Sequence, residues 1–229
     1  MLIKFGAIVT DGRGSVGGHT MSKNTYGAYM RTKVTPVNRS TTAQQAVRQS
    51  LTAIAQLWRT LSDAQRSAWD SLAREVSRTN IFGDSVSLTS FNLFLRLNRE
   101  LNNIGVASIS NAPNIPTVSS LTSLTLMAKV AAGLVSLAYL PTPVPASHEM
   151  VIDFTPQVSQ GISFVKSEYR KLAVSDAAAA SPYVGTSDYA TRFGAPILNK
   201  RIFARAKFVE KTTGFSSLWL QCSTIVIAS

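Results

Sequence analysis

The period of the hydrophobic pattern changes once along this chain, and that change limits the fold more than any other feature. Within residues 41–104, apolar residues recur every three or four positions, which is typical of amphipathic helices. From residue 121 onward they alternate with polar residues, which is typical of strands that bury one face. Residues 1–40 show neither period. We therefore predict an α+β, multidomain chain whose helices and strands lie in separate regions.

Two capping boxes indicate where helices begin within the predicted helical domain, residues 41–105. In such a box a Ser or Thr side chain and a Gln three residues later bond to free backbone amides. The boxes are Thr42–Gln45 and Ser62–Gln65, so only one or two residues connect the two helices. The apolar stripes are Val47, Leu51, Ile54, Trp58 and Leu61 in the first helix, and Ala68, Trp69, Leu72 and Val76 in the second. We predict a tight antiparallel helical hairpin.

A third helix is predicted from a cap at Ser90 to about Asn102, and Gly105 is expected to end it. Its apolar face includes two aromatic residues that can meet the two tryptophans of the hairpin. We expect one aromatic core in this domain, formed by Trp58, Trp69, Phe91 and Phe94. The small domain is therefore predicted to contain three helices.

The alternating region predicts a β-sandwich over residues 121–229, after a Pro-containing linker at 106–120. The candidate strands are Leu121–Val130, Gly133–Leu140, His148–Thr155, Ile162–Tyr169, Arg201–Glu210 and Ser216–Ala228. Six or seven strands in a domain of this size suit an immunoglobulin-like or fibronectin type III-like sandwich, although the Cys…Trp…Cys pattern of true immunoglobulin domains is absent. Residues 174–199 are predicted to form a long Ala/Ser-rich loop.

The fifth candidate strand shows the alternation most clearly. Its apolar positions are Ile202, Ala204, Ala206 and Phe208, and its charged positions are Arg201, Arg205 and Lys207, with Phe203 as the exception. We expect one buried and one charged face, and a hairpin at Lys211–Gly214 that leads into the last strand. Cys222 in that strand is expected to be a small core residue.

Residues 1–40 are predicted to form an extended, basic, glycine-rich arm, with short β segments within residues 2–10 and 26–37. The arm has too few apolar residues to fold alone, so it is expected either to be disordered or to be ordered by lying on another surface. The formal charge is +11: residues 1–110 carry 13 Lys and Arg against 6 Asp and Glu, and residues 111–229 carry 10 against 6. Such a chain is attracted to nucleic acid, anionic membranes or acidic proteins.

No combination of residues predicts catalysis, so we expect no enzyme, no cofactor and no metal site. Gly12–Gly17 matches the G-x-G-x-x-G pattern, but neither a helix with an apolar face nor a suitably placed acid follows it. The two histidines, His19 and His148, belong to different predicted domains. A single cysteine can form neither an internal disulfide nor a Cys-based zinc site.

Membrane association is not predicted either. The most apolar stretch, residues 124–140, contains Lys129 and is shorter than the roughly 20 residues that cross a bilayer. We read it as two strands. The first residues lack the apolar stretch of a secretory signal peptide, so export is not expected.

Four segments in residues 12–105 resemble a set of uncharacterised proteins of tailed phages and prophages. These segments are Tyr26–Arg31 (Tyr-Gly-Ala-Tyr-Met-Arg), Pro36–Arg48, Trp58–Trp69 with its Gln-Arg-x-x-Trp ending, and Leu88–Asn92. Weaker similarity occurs at Gly161–Val165, at Arg201–Arg205 and at Thr212–Gly214. The resemblance implies a virion-associated role and brings no catalytic residues with it.

From these observations we expect a bacteriophage virion structural protein, made in the host cytoplasm and located in the virion. It would be a minor capsid, capsid-decorating, head–tail or tail component. Its expected partners are other virion proteins in a homo-oligomeric or symmetric arrangement, with non-specific contact to DNA and with neither a membrane nor a small-molecule substrate. The candidate partner-contact residues lie in the arm: Arg13, Lys23, Tyr26, Tyr29, Arg31 and Lys33.

Two alternatives stay open at this point. The first is a basic DNA-binding accessory protein, in which hairpin residues such as Arg59, Arg66 and Arg74 contact a groove. The second is a host- or glycan-binding module that uses the sandwich and the 174–199 loop.

Overall fold

The computed structural model describes residues 1–6, 11–24 and 26–228, and these divide into two compact units. The N-terminal unit is Met1–Leu95 with Ser110–Ala112, and the C-terminal unit is Arg96–Ile109 with Pro113–Ser229. The division falls within the third helix, whereas we predicted a boundary in the linker at 106–120. The physical reason is that Leu101 and Ile104 of this helix belong to the same buried cluster as Val151 and Val209.

Residues 1–40 contain a small antiparallel sheet. Its strands are β1 (Gly14–Val16), β2 (His19–Asn24) and β3 (Gly27–Thr32), in the order β1-β2-β3. Leu2 adds an antiparallel bridge to Tyr29 on the free edge of β3. The prediction of an extended arm is therefore wrong for residues 14–24, whereas the short β segment predicted within residues 26–37 is confirmed by β3. The glycines that indicated flexibility instead form turns, since Gly17 and Gly27 have φ of 56° and 115°.

The remaining parts of the predicted arm are less regular. Residues 33–40 contain neither helix nor strand, and all of them are exposed. The β segment predicted at residues 2–10 lies partly outside the described residues. Lys4 forms an ion pair with Asp84 at 3.3 Å and lies 5.0 Å from the centre of the Phe82 ring. The first residues of the chain are thereby held against the hairpin of β4 (Ser77–Thr79) and β5 (Ser85–Ser87).

Three helices follow the predicted order: α1 (Thr42–Thr60), α2 (Asp63–Glu75) and α3 (Ser90–Asn103). The capping box of α2 is confirmed at Ser62 and Gln65. The first box is displaced by one residue, because Thr41 rather than Thr42 caps α1. Similarly, Thr89 rather than Ser90 accepts the capping hydrogen bond of α3, from the backbone amide of Asn92. Gly105 follows α3 with φ of 80°, as predicted for a helix stop.

The apolar stripe of α1 is buried only in its second half. Ile54 is buried, whereas Val47 is 45% exposed and every residue from 42 to 49 is exposed. The stripe predicted from Val47 onward therefore needs correction. In α2, Trp69 and Leu72 are buried as predicted, but Ala68 is exposed. The first two turns of α1 thus leave their whole surface open to solvent.

The predicted aromatic core is confirmed. Phe94 lies at its centre, with ring centroids 5.1 Å from those of both Trp58 and Trp69. Phe91 packs edge-on against Trp58 at 5.7 Å. The indole N–H of Trp69 donates to the backbone oxygen of Ser110 at 2.9 Å, so this buried polar group is satisfied. The two-residue connection between α1 and α2 is also as predicted.

Two antiparallel sheets pack as a sandwich in the C-terminal unit. One sheet has the order β10-β8-β12-β13, with β9 also paired to β12, and the other has the order β11-β7-β6. The strands are β6 (Ser123–Ala128), β7 (Val135–Leu140), β8 (His148–Phe154), β9 (Val158–Ser159), β10 (Arg170–Ser175), β11 (Tyr183–Val184), β12 (Lys200–Glu210) and β13 (Leu220–Ile225). Residues of both sheets share one buried cluster. The predicted β-sandwich is confirmed at this level.

Five of the six candidate strands correspond to observed strands, and one does not. Ile162–Tyr169 is irregular, and β10 begins only at Arg170. Its alternation has another cause, because Val165 and Tyr169 pack against Phe203 of β12. This contact also explains why Phe203 departs from the pattern of its strand.

The predicted loop at 174–199 is wrong in its centre. It contains β11 and a helix, α4 (Thr186–Phe193). Tyr189 of α4 is completely buried in the sandwich core, and its hydroxyl donates to the backbone oxygen of Thr155 at 3.1 Å. The alternation of β12 is confirmed, since the residues at its apolar positions all belong to this core: Ile202, Ala204, Ala206 and Phe208.

Candidate interaction surface

The six predicted contact residues lie on or beside the N-terminal sheet, but they do not form one group. Tyr29 and Arg31 belong to β3, and Lys33 continues it, because its backbone amide donates to the oxygen of Gly18 at 2.8 Å. Lys23 lies on β2. The other two lie at the ends of strands: Tyr26 in the turn before β3, and Arg13 just before β1.

The strand register separates these residues into two faces. Side chains alternate along a strand, and residues directly opposite each other in an antiparallel pair share a face. Tyr29 pairs with Ser22, and Arg31 with Thr20, whose hydroxyl lies 3.3 Å from that of Ser15. We call these five residues the polar face, and Lys33 continues its alternation. The structure thus brings together three predicted contact residues, and sequence reasoning missed the hydroxyl side chains between them.

The opposite face of the same sheet has a different character. Met21 pairs with Met30, and Lys23 pairs with Ala28. Because Leu2 pairs with Tyr29 of the polar face, the alternation places its neighbour Ile3 on this side. We call Ile3, Met21, Ala28 and Met30 the apolar face. Only Lys23, at one end, represents the predicted contact residues here.

The two faces are covered only in part. Among the described residues of the first 40, none is buried, and the four residues of the apolar face are only partly shielded. A sheet of this size usually needs a hydrophobic face packed against another layer to be stable. Phe5 comes nearest to supplying one, since its ring and the sulfur of Met21 both approach Gly12. Among the described residues, the N-terminal sheet thus has no complete second layer packed on it.

The charge around the sheet is of one sign. Residues 12–62 contain no Asp or Glu, and they contain Arg13, Lys23, Arg31, Lys33, Arg39, Arg48 and Arg59. Among the described residues, a carboxylate lies within 4.0 Å of Arg13 alone in this group, namely Asp11 at 3.7 Å. Arg48 instead donates to the side chain of Asn38 at 2.9 Å, which ties α1 to the irregular segment 33–40. These cations are therefore available to an anionic partner.

Two basic residues of β12, Arg205 and Lys207, are arranged in the opposite way. Arg205 donates to Asp153 at 2.7 Å and lies over the rings of Tyr169 and Trp219, at 4.4 and 4.3 Å. Lys207 is buried and forms an ion pair with Glu100 at 2.6 Å. Each charge is neutralised within the unit, so these residues hold the sheet together rather than offering a binding surface.

The histidine and cysteine side chains of the C-terminal unit lie in the following surroundings. The described residues contain no group of three or more His, Cys, Asp and Glu side chains that could hold a metal ion. His148 is buried beside the hydroxyl of Ser147; burial lowers its pKa, while Glu210 opposes this effect. Burial raises the pKa of Cys222 to about 12, so its thiol is unreactive near neutral pH. An open groove is lined by Leu172, Asp188, Thr191 and Arg192.

The helix arginines considered for a DNA groove differ in their surroundings. Arg66 donates to the backbone oxygen of Arg59 at 3.0 Å and lies 3.7 Å from Asp63. Arg59 and Arg74 are exposed. As for membranes, none of the described helices combines the length and the apolar character that a bilayer span requires.

Two solved structures are similar to part of this chain. The first is the chicken interferon gamma receptor alpha chain, which is 12% identical over 48% of this chain and 45% of the receptor chain, with a TM-score of 0.33. The second is a Fn3-like protein from Clostridium thermocellum, also 12% identical, over 48% of this chain and 95% of that protein, with a TM-score of 0.31. No protein-family model matches the chain, and no curated protein matches it.

Proposed function

We propose that this chain is a structural protein of a bacteriophage particle and that it acts through assembly contacts with other virion proteins. The motifs in residues 12–105 that resemble phage and prophage proteins support this role. Its place would be a minor capsid, capsid-decorating, head–tail or tail position, with copies arranged symmetrically. The proposal includes no enzymatic activity and no small-molecule substrate.

The observation that carries the proposal is the apolar face, whose four residues are only partly shielded. Met21 and Met30 pair at its centre, and neither they nor any other described residue of the first 40 is buried. In water this face leaves apolar surface exposed, at a cost of about 25 cal/mol for each Å². A neighbouring subunit that packs on it would complete a two-layer arrangement and stabilise both partners. Methionine is well suited to such contacts, because its side chain adapts to irregular surfaces.

The sandwich supports the same role. We propose that it is of the immunoglobulin or fibronectin III type, on the grounds of its two antiparallel sheets and its pairing of β8 with β12. Its cations Arg205 and Lys207 are neutralised within it, so we expect it to act as a rigid body. A rigid body joined to a sheet that needs a partner is a suitable design for an assembly protein.

The test is a pair of substitutions at neighbouring positions of β2. Met21→Glu places a charge on the apolar face, and Ser22→Glu places the same charge on the polar face. With the gene in its phage, the protein content of purified particles is measured by mass spectrometry. We expect the M21E protein to be lost from particles, because burying an unpaired carboxylate is costly. The S22E protein should be retained.

Two results would contradict the proposal. If the unmodified chain is absent from purified particles, it is not a virion protein. If M21E and S22E enter particles equally well, the apolar face is not an assembly contact. Thermal unfolding of both variants, compared with the unmodified chain, separates loss of contact from loss of folding.

A further inference from the structure

We infer that the polar face, together with Lys33 and Arg39 beyond it, binds the sugar–phosphate backbone of double-stranded DNA without reading its sequence. This inference does not depend on the virion assignment, since it concerns the opposite side of the sheet. It rests on the charge of the region, on the side-chain chemistry of the face and on the absence of internal neutralisation.

The charge of the N-terminal half is distributed unevenly along the chain. Residues 12–62 carry seven Lys and Arg and no acid. Residues 63–110 carry five Arg and five acids, which cancel: Arg66, Arg74, Arg78, Arg96 and Arg99 against Asp63, Asp70, Glu75, Asp84 and Glu100. The positive charge of the N-terminal half is therefore concentrated in the sheet, in the segment 33–40 and in α1. A concentration of one sign attracts a polyanion and releases its counterions on binding.

The polar face consists mainly of side chains that can contact phosphate. Phosphate oxygens in protein–DNA complexes are contacted by Arg and Lys and by the hydroxyls of Ser, Thr and Tyr. The polar face presents Ser15, Thr20, Ser22, Tyr29 and Arg31, which are all of this kind, and Leu2 lies beside them opposite Tyr29. Protein interfaces instead have cores that are apolar and poor in charge. The apolar face has that composition, and the polar face does not.

The cations of the proposed surface are accessible to a phosphate. Arg31, Lys33 and Arg39 are exposed. Among the described residues, none of the three has a carboxylate within 4.0 Å. A phosphate can therefore approach them without breaking an existing ion pair. Binding is expected to gain its strength from released counterions and to lose it as salt is added.

The experiment compares two triple variants of the full chain. In the first, R31Q/K33Q/R39Q, the cations of the proposed surface are neutralised. The second, R74Q/R99Q/K166Q, removes three other exposed cations, so that both variants change the net charge from +11 to +8. Binding to a labelled, mixed-sequence duplex DNA is measured by fluorescence anisotropy over a range of salt. Circular dichroism checks that each variant is folded, and single substitutions replace any triple that is not.

We expect the unmodified chain to bind with a steep salt dependence. The first triple should reduce the slope of log K against log salt by about 0.9 for each lost phosphate contact. Three contacts correspond to a loss of about 40-fold in the affinity ratio between two salt concentrations that differ fourfold. The second triple should leave the slope unchanged.

Three results would overturn the inference. Equal loss of binding in both triples would show that net charge alone is responsible. Binding to poly-glutamate in place of DNA, lost in the first triple only, would show that the surface fits an acidic protein. Absence of salt-dependent DNA binding by the unmodified chain would exclude the contact altogether.

Discussion

The N-terminal sheet and the sandwich sheet that contains β12 both carry basic residues on one face, but they use them differently. In the sandwich, Arg205 and Lys207 each have a carboxylate partner, at 2.7 and 2.6 Å. In the N-terminal sheet, Arg31 lies opposite Thr20, which is neutral. The comparison shows that an alternating basic strand is cohesive where acids face it, and is open to a partner where they do not.

The two sheets also differ in their apolar sides. The apolar positions of β12 belong to a completely buried core that both sandwich layers share. Met21 and Met30 of the N-terminal sheet have no such second layer among the described residues. One sheet is thus stable within its own unit, while the other is expected to gain much of its stability from a neighbour.

The largest expected change in unfolding free energy tests this difference in burial directly. Phe208→Ala removes a fully buried ring of β12 and should cost about 3–5 kcal/mol in unfolding free energy. Met21→Ala in the N-terminal sheet should cost less than about 1 kcal/mol in the isolated chain, because the site is not buried. Urea denaturation followed by tryptophan fluorescence measures both. A similar loss in the two variants would mean that the N-terminal sheet is already covered.

The next largest loss of unfolding free energy is expected when one partner of an ion pair is removed. Lys207→Met leaves Glu100 without its partner, and one oxygen of that carboxylate is already buried without a hydrogen bond among the described residues. We expect a loss of about 2–4 kcal/mol. Arg31→Met is the matched change on an exposed, unpaired cation and should stay within about 0.5 kcal/mol. If both changes are neutral in thermal unfolding, Lys207 does not stabilise the sandwich.

Turn glycines provide a smaller test. Gly214 has φ of 75°, and a Cβ there would lie 2.4 Å from the backbone oxygen of Leu97. Gly214→Ala should therefore cost about 1–3 kcal/mol, from strain and from displacement of α3. Gly18 in the N-terminal sheet has open space around its Cα, so Gly18→Ala should have little effect. Differential scanning calorimetry of the two variants would expose an error if their midpoints coincide.

The smallest effect is a dependence on pH. Burial lowers the pKa of His148 below its ordinary value of about 6.5, so the unfolded chain binds the proton more readily than the folded one. Stability should consequently fall as the pH drops from about 6.5 toward the folded pKa. His148→Asn should reduce this fall. Urea midpoints at several pH values measure it, and an unchanged pH dependence in the variant would assign the effect to other groups.

Much of the fold followed from local patterns. The caps at Ser62 and Gly105, the aromatic core around Phe94 and the two faces of β12 all follow from spacings within a single element. The errors occurred where a pattern had more than one physical cause. Alternation at Ile162–Tyr169 served an irregular segment packed on Phe203, and the turn glycines of residues 14–32 resembled a flexible arm. The six candidate contact residues lie on or beside the N-terminal sheet and are divided between its two faces, and their contact role stays a prediction.

The sequence by itself determined the three helices of residues 41–105, their aromatic core and the concentration of positive charge, because each depends on residues close together along the chain. Only the tertiary structure decided which cations are neutralised and which apolar faces are covered. Lys207 meets Glu100, and Tyr189 reaches Thr155, across distances in sequence that no local pattern spans. Contacts between distant residues also decide that the sheet of residues 14–32 lacks a second layer among the described residues, since none of its residues is buried.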